Sequence, residues 1–197
     1  MIRLAFLRHG VTGWNREGRI QGRTDIPLDP EGRDRLARLS LPPDWRDATL
    51  HASPLSRAVE TAALLGNGRP VHTDPRLVEM DWGAWEGLRG IELRADPASG
   101  YRDLEEWGWD FRPPGGESPA DVRTRLASWL RARKISDTHL VVTHIGVIRV
   151  ALALAWGWEF RGPPPVPVKR HRLYAMTLAA DGTLRPAGPR EGEHLSS

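Results

Sequence analysis

Cysteine is absent from the 197 residues. Disulfide staples and thiol nucleophiles are therefore excluded, and the composition suits the cytoplasm. No stretch approaches the roughly 20 apolar residues of a membrane-spanning helix. The N-terminal apolar run, Ile2 to Leu7, is only about six residues long and reads as a buried strand, not as a leader. Lysine occurs only at positions 134 and 169, so the net charge of +3 and the pI near 9.9 come from arginine. These arginines are scattered, with no interleaving of aromatic and basic residues, and no nucleic-acid partner is expected. The histidines have neither His-x-x-x-His spacing nor cysteine companions, so neither a metal nor another cofactor is expected. Side-chain amides are scarce too. They are Asn15, Gln21 and Asn67, and two of the three fall in one short loop.

What is present clusters at the ends of apolar runs. The first run ends in Arg8-His9-Gly10. A guanidinium holds phosphate oxygens bidentately, and a neutral imidazole can attack phosphorus. The glycine-punctuated loop from Thr12 to Arg23 follows, with Asn15 and Gln21 as donors that do not titrate. Next comes His51-Ala52-Ser53-Pro54-Leu55-Ser56-Arg57. Ser53 reads as a helix N-cap and Pro54 as the first helical residue, which places Arg57 in the first turn. A cation is misplaced there for helix stability, which points to an anion-binding role.

Three carboxylates, Glu79, Asp81 and Glu86, sit among Trp82, Trp85 and glycines. A carboxylate beside aromatic surface is a candidate proton donor, because desolvation favours its protonated form. The sequence pattern alone does not choose among the three. Finally, Leu140 to Thr143 is an apolar, β-branched run ending in His144-Ile145-Gly146, which repeats the strand, His and Gly layout of the N-terminus. Neighbouring parallel strands would bring His9 and His144 to one sheet edge, where open α/β sheets bind ligands.

The elements alternate as strand 2–7, helix 30–39, strand 48–52, helix 54–65 and strand 70–73, then helix 118–133, strand 139–143, helix 145–156 and strand 171–178. Ser118 and Asp121 frame a capping box, with Pro119 at the first helical position. This order predicts a three-layer α/β domain, a mainly parallel sheet with helices on both faces. One domain is expected over 1–185, with a lid-like insert at about 80–117 and a mobile Gly- and Pro-rich tail over 186–197. The insert carries Trp82, Trp85, Trp107, Trp109 and Phe111, most of them expected to pack it onto the body.

The ordered set Arg8-His9-Gly10, Ser53 to Ala62, Glu79 ahead of Gly83-Ala84-Trp85-Glu86-Gly87, and Thr143-His144-Ile145-Gly146 resembles the histidine phosphatase superfamily. The likeness runs from residue 3 to about residue 178. It implies a phosphoglycerate mutase-like fold, with His9 as nucleophile, Arg8, Arg57 and His144 as the rest of the phosphate pocket, and Glu79 as proton donor. It also implies that Asn15 helps hold the transferring phosphoryl group. Gln21 stands near the substrate opening, and Thr12 and Ile145 complete the expected substrate-binding set. Many members carry Glu directly after Arg-His-Gly; this chain has Val11, at a position that is not catalytic in the family.

The resemblance implies a phosphomonoesterase that works through a phosphohistidine, with His144 as a cation on the phosphoryl oxygens and arginines in place of a metal. A monomer or homodimer acting on a small phosphorylated substrate is expected. The alternative is a cofactor-dependent phosphoglycerate mutase, but the long insert with the Glu-Arg-His-Tyr-Gly stretch of those enzymes is missing. A non-catalytic phosphoester-binding module would have lost His9 or an arginine. The stretches Met80 to Gly87 and Phe111 to Ser118 resemble those of α-ribazole phosphatases.

Overall fold

The structure, a computed structural model, describes residues 1–133 and 137–196; of the two lysines, Lys134 lies outside the described residues, as does Ser197. The strands are β1 (Ile2–Arg8), β2 (Thr49–Ala52), β3 (Val71–Thr73), β4 (Thr138–Thr143), β5 (Arg172–Leu178), β6 (Leu184–Pro186) and β7 (Glu193–His194). The helices are α1 (Gly13–Arg16), α2 (Pro30–Ala37), α3 (Ser56–Gly66), α4 (Gly90–Ala95), α5 (Pro119–Arg131) and α6 (Ile145–Trp156). One mixed sheet runs β3-β2-β4-β1-β5-β6, with β7 also pairing β5. The first four strands of that order are parallel, and β5 closes the set antiparallel to β1. Among the described residues no helix is long and apolar enough to cross a membrane.

Side chains of a strand alternate between faces, and here both faces are covered. From β1, Leu4 and Phe6 enter a core with Val122, Leu126 and Trp129 of α5 and Val147 and Ile148 of α6. Ala5 and Leu7 enter a second core with Leu36 of α2 and Ala58, Ala62 and Leu65 of α3. The result is the three-layer α/β arrangement that the alternation of elements predicts.

Local signals placed some helix ends and missed others. Ser118 accepts from the Asp121 N–H, and the Asp121 side chain accepts from the Ser118 N–H, so α5 opens on the expected capping box. Ser53 does not cap α3, which starts at Ser56 with Leu55 as N-cap. The Asp25 carboxylate caps it instead, accepting from the Ser56 N–H at 2.9 Å and the Ser56 hydroxyl at 2.8 Å. A partner from another loop has replaced the local one.

The segment 186–196, expected as a mobile tail, is docked. Residues Glu193–His194 pair with the start of β5, Ser196 bridges to Ser40, and Leu195 is buried. Trp45 Nε1 donates to Glu193 at 3.1 Å. The physical reason is an open strand edge on β5 together with one apolar anchor, both of which outweigh a loose composition.

Candidate active site

The parallel pairing of β1 with β4 aligns Arg8 with Thr143, so the next residues, His9 and His144, leave the sheet at one level. Their rings lie 5.1 Å apart, and the His9 N–H donates to the Thr143 carbonyl at 3.0 Å. This is the C-terminal edge of the parallel strands, the usual ligand edge of such sheets. A cavity of about 140 Å³ opens here, lined by Arg8, His9, Asn15, Arg19, Ile20, Gln21, Gly22, Arg57, Glu79, Trp82 and Ile145. Clefts of about 420 and 450 Å³ occur elsewhere. The smaller cavity is the one on which the candidate groups converge.

His9 is buried, and its Nδ1 lies 2.7 Å from the Gly10 carbonyl oxygen. A carbonyl can only accept, so Nδ1 carries the proton and Nε2 keeps its lone pair. Burial pushes the His9 pKa well below its ordinary value, and His144, Arg8 and Arg57 push it the same way. The ring is therefore the neutral, nucleophilic form.

Arg57, in the first turn of α3, is fully buried. Its Nη1 donates to the Thr24 carbonyl and its Nη2 to the Gly22 carbonyl, each at 2.8 Å. Burial lowers its pKa, while Glu79, Asp25 and Glu86 oppose that shift. Arg8 is pushed down to about 9, by burial first and then by Arg170, with Arg149 acting the same way. Among the described residues, Nε of Arg8 and Nε of Arg57 are buried with no hydrogen-bond partner. Desolvated guanidinium groups with unused donors favour an anion.

Of the three carboxylates, Glu79 is the one that lines the cavity. It is buried against the first turn of α6, where Gly146 N–H donates to its Oε1 at 3.0 Å and its Oε2 at 3.2 Å, and Met80 N–H donates to Oε1 at 2.8 Å. Asp81 instead caps the Gly83 N–H at 2.8 Å. Glu86 lies outside the cavity lining, engaged by the turn at Arg23 and Thr24.

Two expected roles change. His144 is fully buried beside His9 and is outside the cavity lining. Burial, then Arg57, Arg125 and Arg8, hold its pKa well below the ordinary value, so it is neutral and not the expected cation. Its Nε2 is 2.7 Å from Ser53 Oγ, and this explains why Ser53 is not the cap of α3. Thr12 is buried and does not line the cavity. It stands behind the amides, with its hydroxyl donating to Gln21 Oε1 at 2.9 Å and its N–H to Asn15 Oδ1 at 3.1 Å. Asn15, Gln21 and Ile145 do line the cavity.

Of the insert aromatics, Trp85, Trp107 and Phe111 are core, with Trp107 stacked on Phe111 at 4.7 Å. Trp82 alone among the five lines the cavity. Sequence reading missed Arg149 and Arg170, whose charges act on Arg8. The only signal for Arg149 was its place one helical turn beyond Ile145 on α6. Among the described residues, no group of three or more His, Asp or Glu side chains is placed to hold a metal ion.

Residues 4–184 match the model of the histidine phosphatase superfamily, branch 1. The chain belongs to this family. Over 129 residues it is 36% identical to a glucosyl-3-phosphoglycerate phosphatase of Mycolicibacterium vanbaalenii, covering 62% of this chain and 56% of that protein. Over 134 residues it is 34% identical to a probable phosphoglycerate mutase of Enterobacter sp. strain 638, covering 66% of this chain and 62% of that protein. The matched stretch thus spans less than two thirds of either relative. A mycobacterial glucosyl-3-phosphoglycerate phosphatase solved with VO3 superposes with a TM-score of 0.78 at 27% identity, covering 96% of this chain and 99% of that one.

Proposed function

We propose that this histidine phosphatase is a phosphomonoesterase for a small phosphorylated metabolite, working through a phosphohistidine at His9. The observation that carries this reading is the convergence of neutral His9, Arg8, Arg57 and buried Glu79 on one cavity. The arginines receive the phosphoryl oxygens and stabilise charge on them. His9 Nε2 attacks phosphorus in line; the N–P bond forms as the ester P–O bond breaks, and Glu79 gives its proton to the departing alkoxide. A water then attacks phosphorus, Glu79 takes its proton, and the N–P bond breaks to release phosphate. His144, with its ring 5.1 Å from that of His9, adjoins the nucleophile and does not line the cavity.

The substrate reading is finer. Ile20, Trp82 and Ile145 give the cavity an apolar wall, and Arg19 adds a cation. A leaving group with a flat or apolar part suits that wall. We take α-ribazole 5′-phosphate as the first candidate and glucosyl-3-phosphoglycerate, the substrate named for the mycobacterial relatives, as the second. Segment 80–117, through Trp82, is the proposed specificity wall. The mutase reading is kept because of the similarity to the Enterobacter protein. It requires isomerisation of 3-phosphoglycerate that depends on a bisphosphate primer.

The test is phosphate release from α-ribazole 5′-phosphate, glucosyl-3-phosphoglycerate, 3-phosphoglycerate, sugar phosphates and nucleotides, with His9→Ala as blank. A preference of about 100-fold in kcat/KM for one ester would identify the substrate. Primer-dependent isomerisation without net phosphate release would replace the phosphatase reading with the mutase one. Full activity in His9→Ala would remove the phosphohistidine step.

A further inference from the structure

Glu86 touches no reacting group, yet it is among the most heavily engaged carboxylates in the chain. Its Oε1 accepts from the Arg23 N–H at 2.8 Å and the Trp82 N–H at 3.3 Å. Its Oε2 accepts from the Thr24 N–H at 2.9 Å and the Thr24 hydroxyl at 2.5 Å. These donors occupy both oxygens, so the carboxylate is committed to holding the turn at residues 22–24. The turn closes tightly on it. Gly22 has φ +55°, and a Cβ at that position would lie 1.8 Å from Glu86 Oε1. Only glycine allows both the left-handed backbone and the approach.

The other side of the same turn faces Arg57. The carbonyls of Gly22 and Thr24 each take one terminal nitrogen of that guanidinium at 2.8 Å. A guanidinium is a rigid planar fork, so fixing two of its nitrogens fixes the directions of the donors that remain. The turn therefore gives its amides to Glu86 and its carbonyls to Arg57, which joins the insert to the core helix α3 through three residues.

We propose that Glu86 is a positioning residue for oxyanion binding, setting the orientation of Arg57 through the turn at Gly22–Thr24. The proposal rests on the reading of Arg57 as part of the phosphate pocket. It also accounts for the double engagement of Glu86 Oε1: the same oxygen that receives the Arg23 N–H receives that of Trp82, so one group sets both the anion clamp and the cavity wall.

The test is a double-mutant cycle on the full chain with orthovanadate as the probe, read as its inhibition constant against p-nitrophenyl phosphate. Glu86→Gln keeps the shape but turns an N–H group toward amide donors. Arg57→Lys keeps the charge but lacks the fork. In the wild-type background Glu86→Gln should weaken orthovanadate by about fivefold or more, and in the Arg57→Lys background by less than about twofold. Equal weakening in both backgrounds would mean that Glu86 acts on the fold at large, and no weakening would mean that it does not position Arg57; either overturns the proposal. Thr24→Val, which removes one donor to Glu86, repeats the cycle should Glu86→Gln fail to fold, with the same pattern expected at smaller size. If Arg57→Lys and Arg57→Ala both leave orthovanadate binding and turnover unchanged, the phosphate-pocket reading of Arg57 falls first and this proposal with it.

Discussion

Glu79 and Gly146, 67 residues apart in the chain, meet where the Gly146 N–H donates to both carboxylate oxygens at 3.0 and 3.2 Å. A Cβ at Gly146 would stand 2.4 Å from Oε1 and 3.1 Å from the Met80 Cβ. Gly146→Ala should therefore push the carboxylate out of place. Alanine's helix propensity, worth up to about 1 kcal/mol, does not offset displacing a buried, hydrogen-bonded carboxylate, which costs on the order of 1–3 kcal/mol. We expect a loss of about tenfold or more in kcat/KM for alkyl phosphates, with a modestly lowered Tm. Thermal melts and steady-state kinetics on the same preparation check this. A variant with wild-type turnover would show that the carboxylate needs no such seat.

Glu79→Gln tests the proton itself. The amide oxygen can still accept from Gly146 and Met80, but no acid remains. Loss of a general acid costs about 10²–10⁴-fold where the leaving group needs a proton. Alkyl phosphates should fall in that range, and p-nitrophenyl phosphate much less. The measurement is kcat across a leaving-group series; an equal loss along the series would take the acid role from Glu79.

The acid side of the pH profile follows from His9. Its pKa lies well below the ordinary value, chiefly through burial, so the ring stays neutral as pH falls through 6.5. Once corrected for substrate ionisation, kcat/KM should change by less than about threefold between pH 7 and pH 5.5. A fall centred on pH 6.5 would mean that His9 titrates as a free histidine.

Stability should respond to the same burial. His9, His144, His51 and His139 all have lowered pKa values with burial as the largest cause, and for His51 the value is about 3. An unfolded chain takes up these protons near pH 6.5 and the folded one does not. Stability is therefore fully present above about pH 7 and is lost progressively as pH falls below 6.5. Urea unfolding at pH 8, 6, 5 and 4 should show a steadily falling midpoint. A midpoint constant from pH 8 to pH 4 would contradict the burial of these rings.

The docked C-terminal segment predicts a cost away from the site. Leu195 is buried beside β5, and Leu195→Ala should destabilise by about 2 kcal/mol. Urea unfolding measures this, and turnover at a permissive temperature should match wild type. No change in unfolding would return the segment to the mobile tail its composition suggests.

What the sequence revealed was local or periodic. The Ser118 and Asp121 capping box sits within one turn, and the buried strands announce themselves as apolar runs. Ser53 carries the same N-cap chemistry as Ser118, yet its hydroxyl meets His144, 91 residues away. Nothing within its own turn signals that choice. The charge of His144 departs from the sequence expectation for a related reason: its burial and its arginine neighbours both disfavour the imidazolium, and neither is visible in the local sequence. All three of Glu79, Asp81 and Glu86 accept from backbone amides, and only long-range packing brings Glu79 alone to the cavity. Trp82 and Trp85 look alike in sequence, and only packing separates a cavity wall from a core residue.

The register of β1 against β4 has a consequence for how this family can change. Arg8 and Thr143 are partners, and a slip of one residue would turn each side chain of one strand to the opposite face. Insertions within these strands are thus forbidden by chemistry as much as by packing. The connections between them carry no such constraint. Specificity can shift at the cavity-facing part of the segment from 80 to 117, such as Trp82, with the reaction left intact, as long as buried Trp85, Trp107 and Phe111 and the carboxylate at position 86 are kept. Innovation in such a fold is confined to the rim of the site, while the buried anchors beneath it stay fixed.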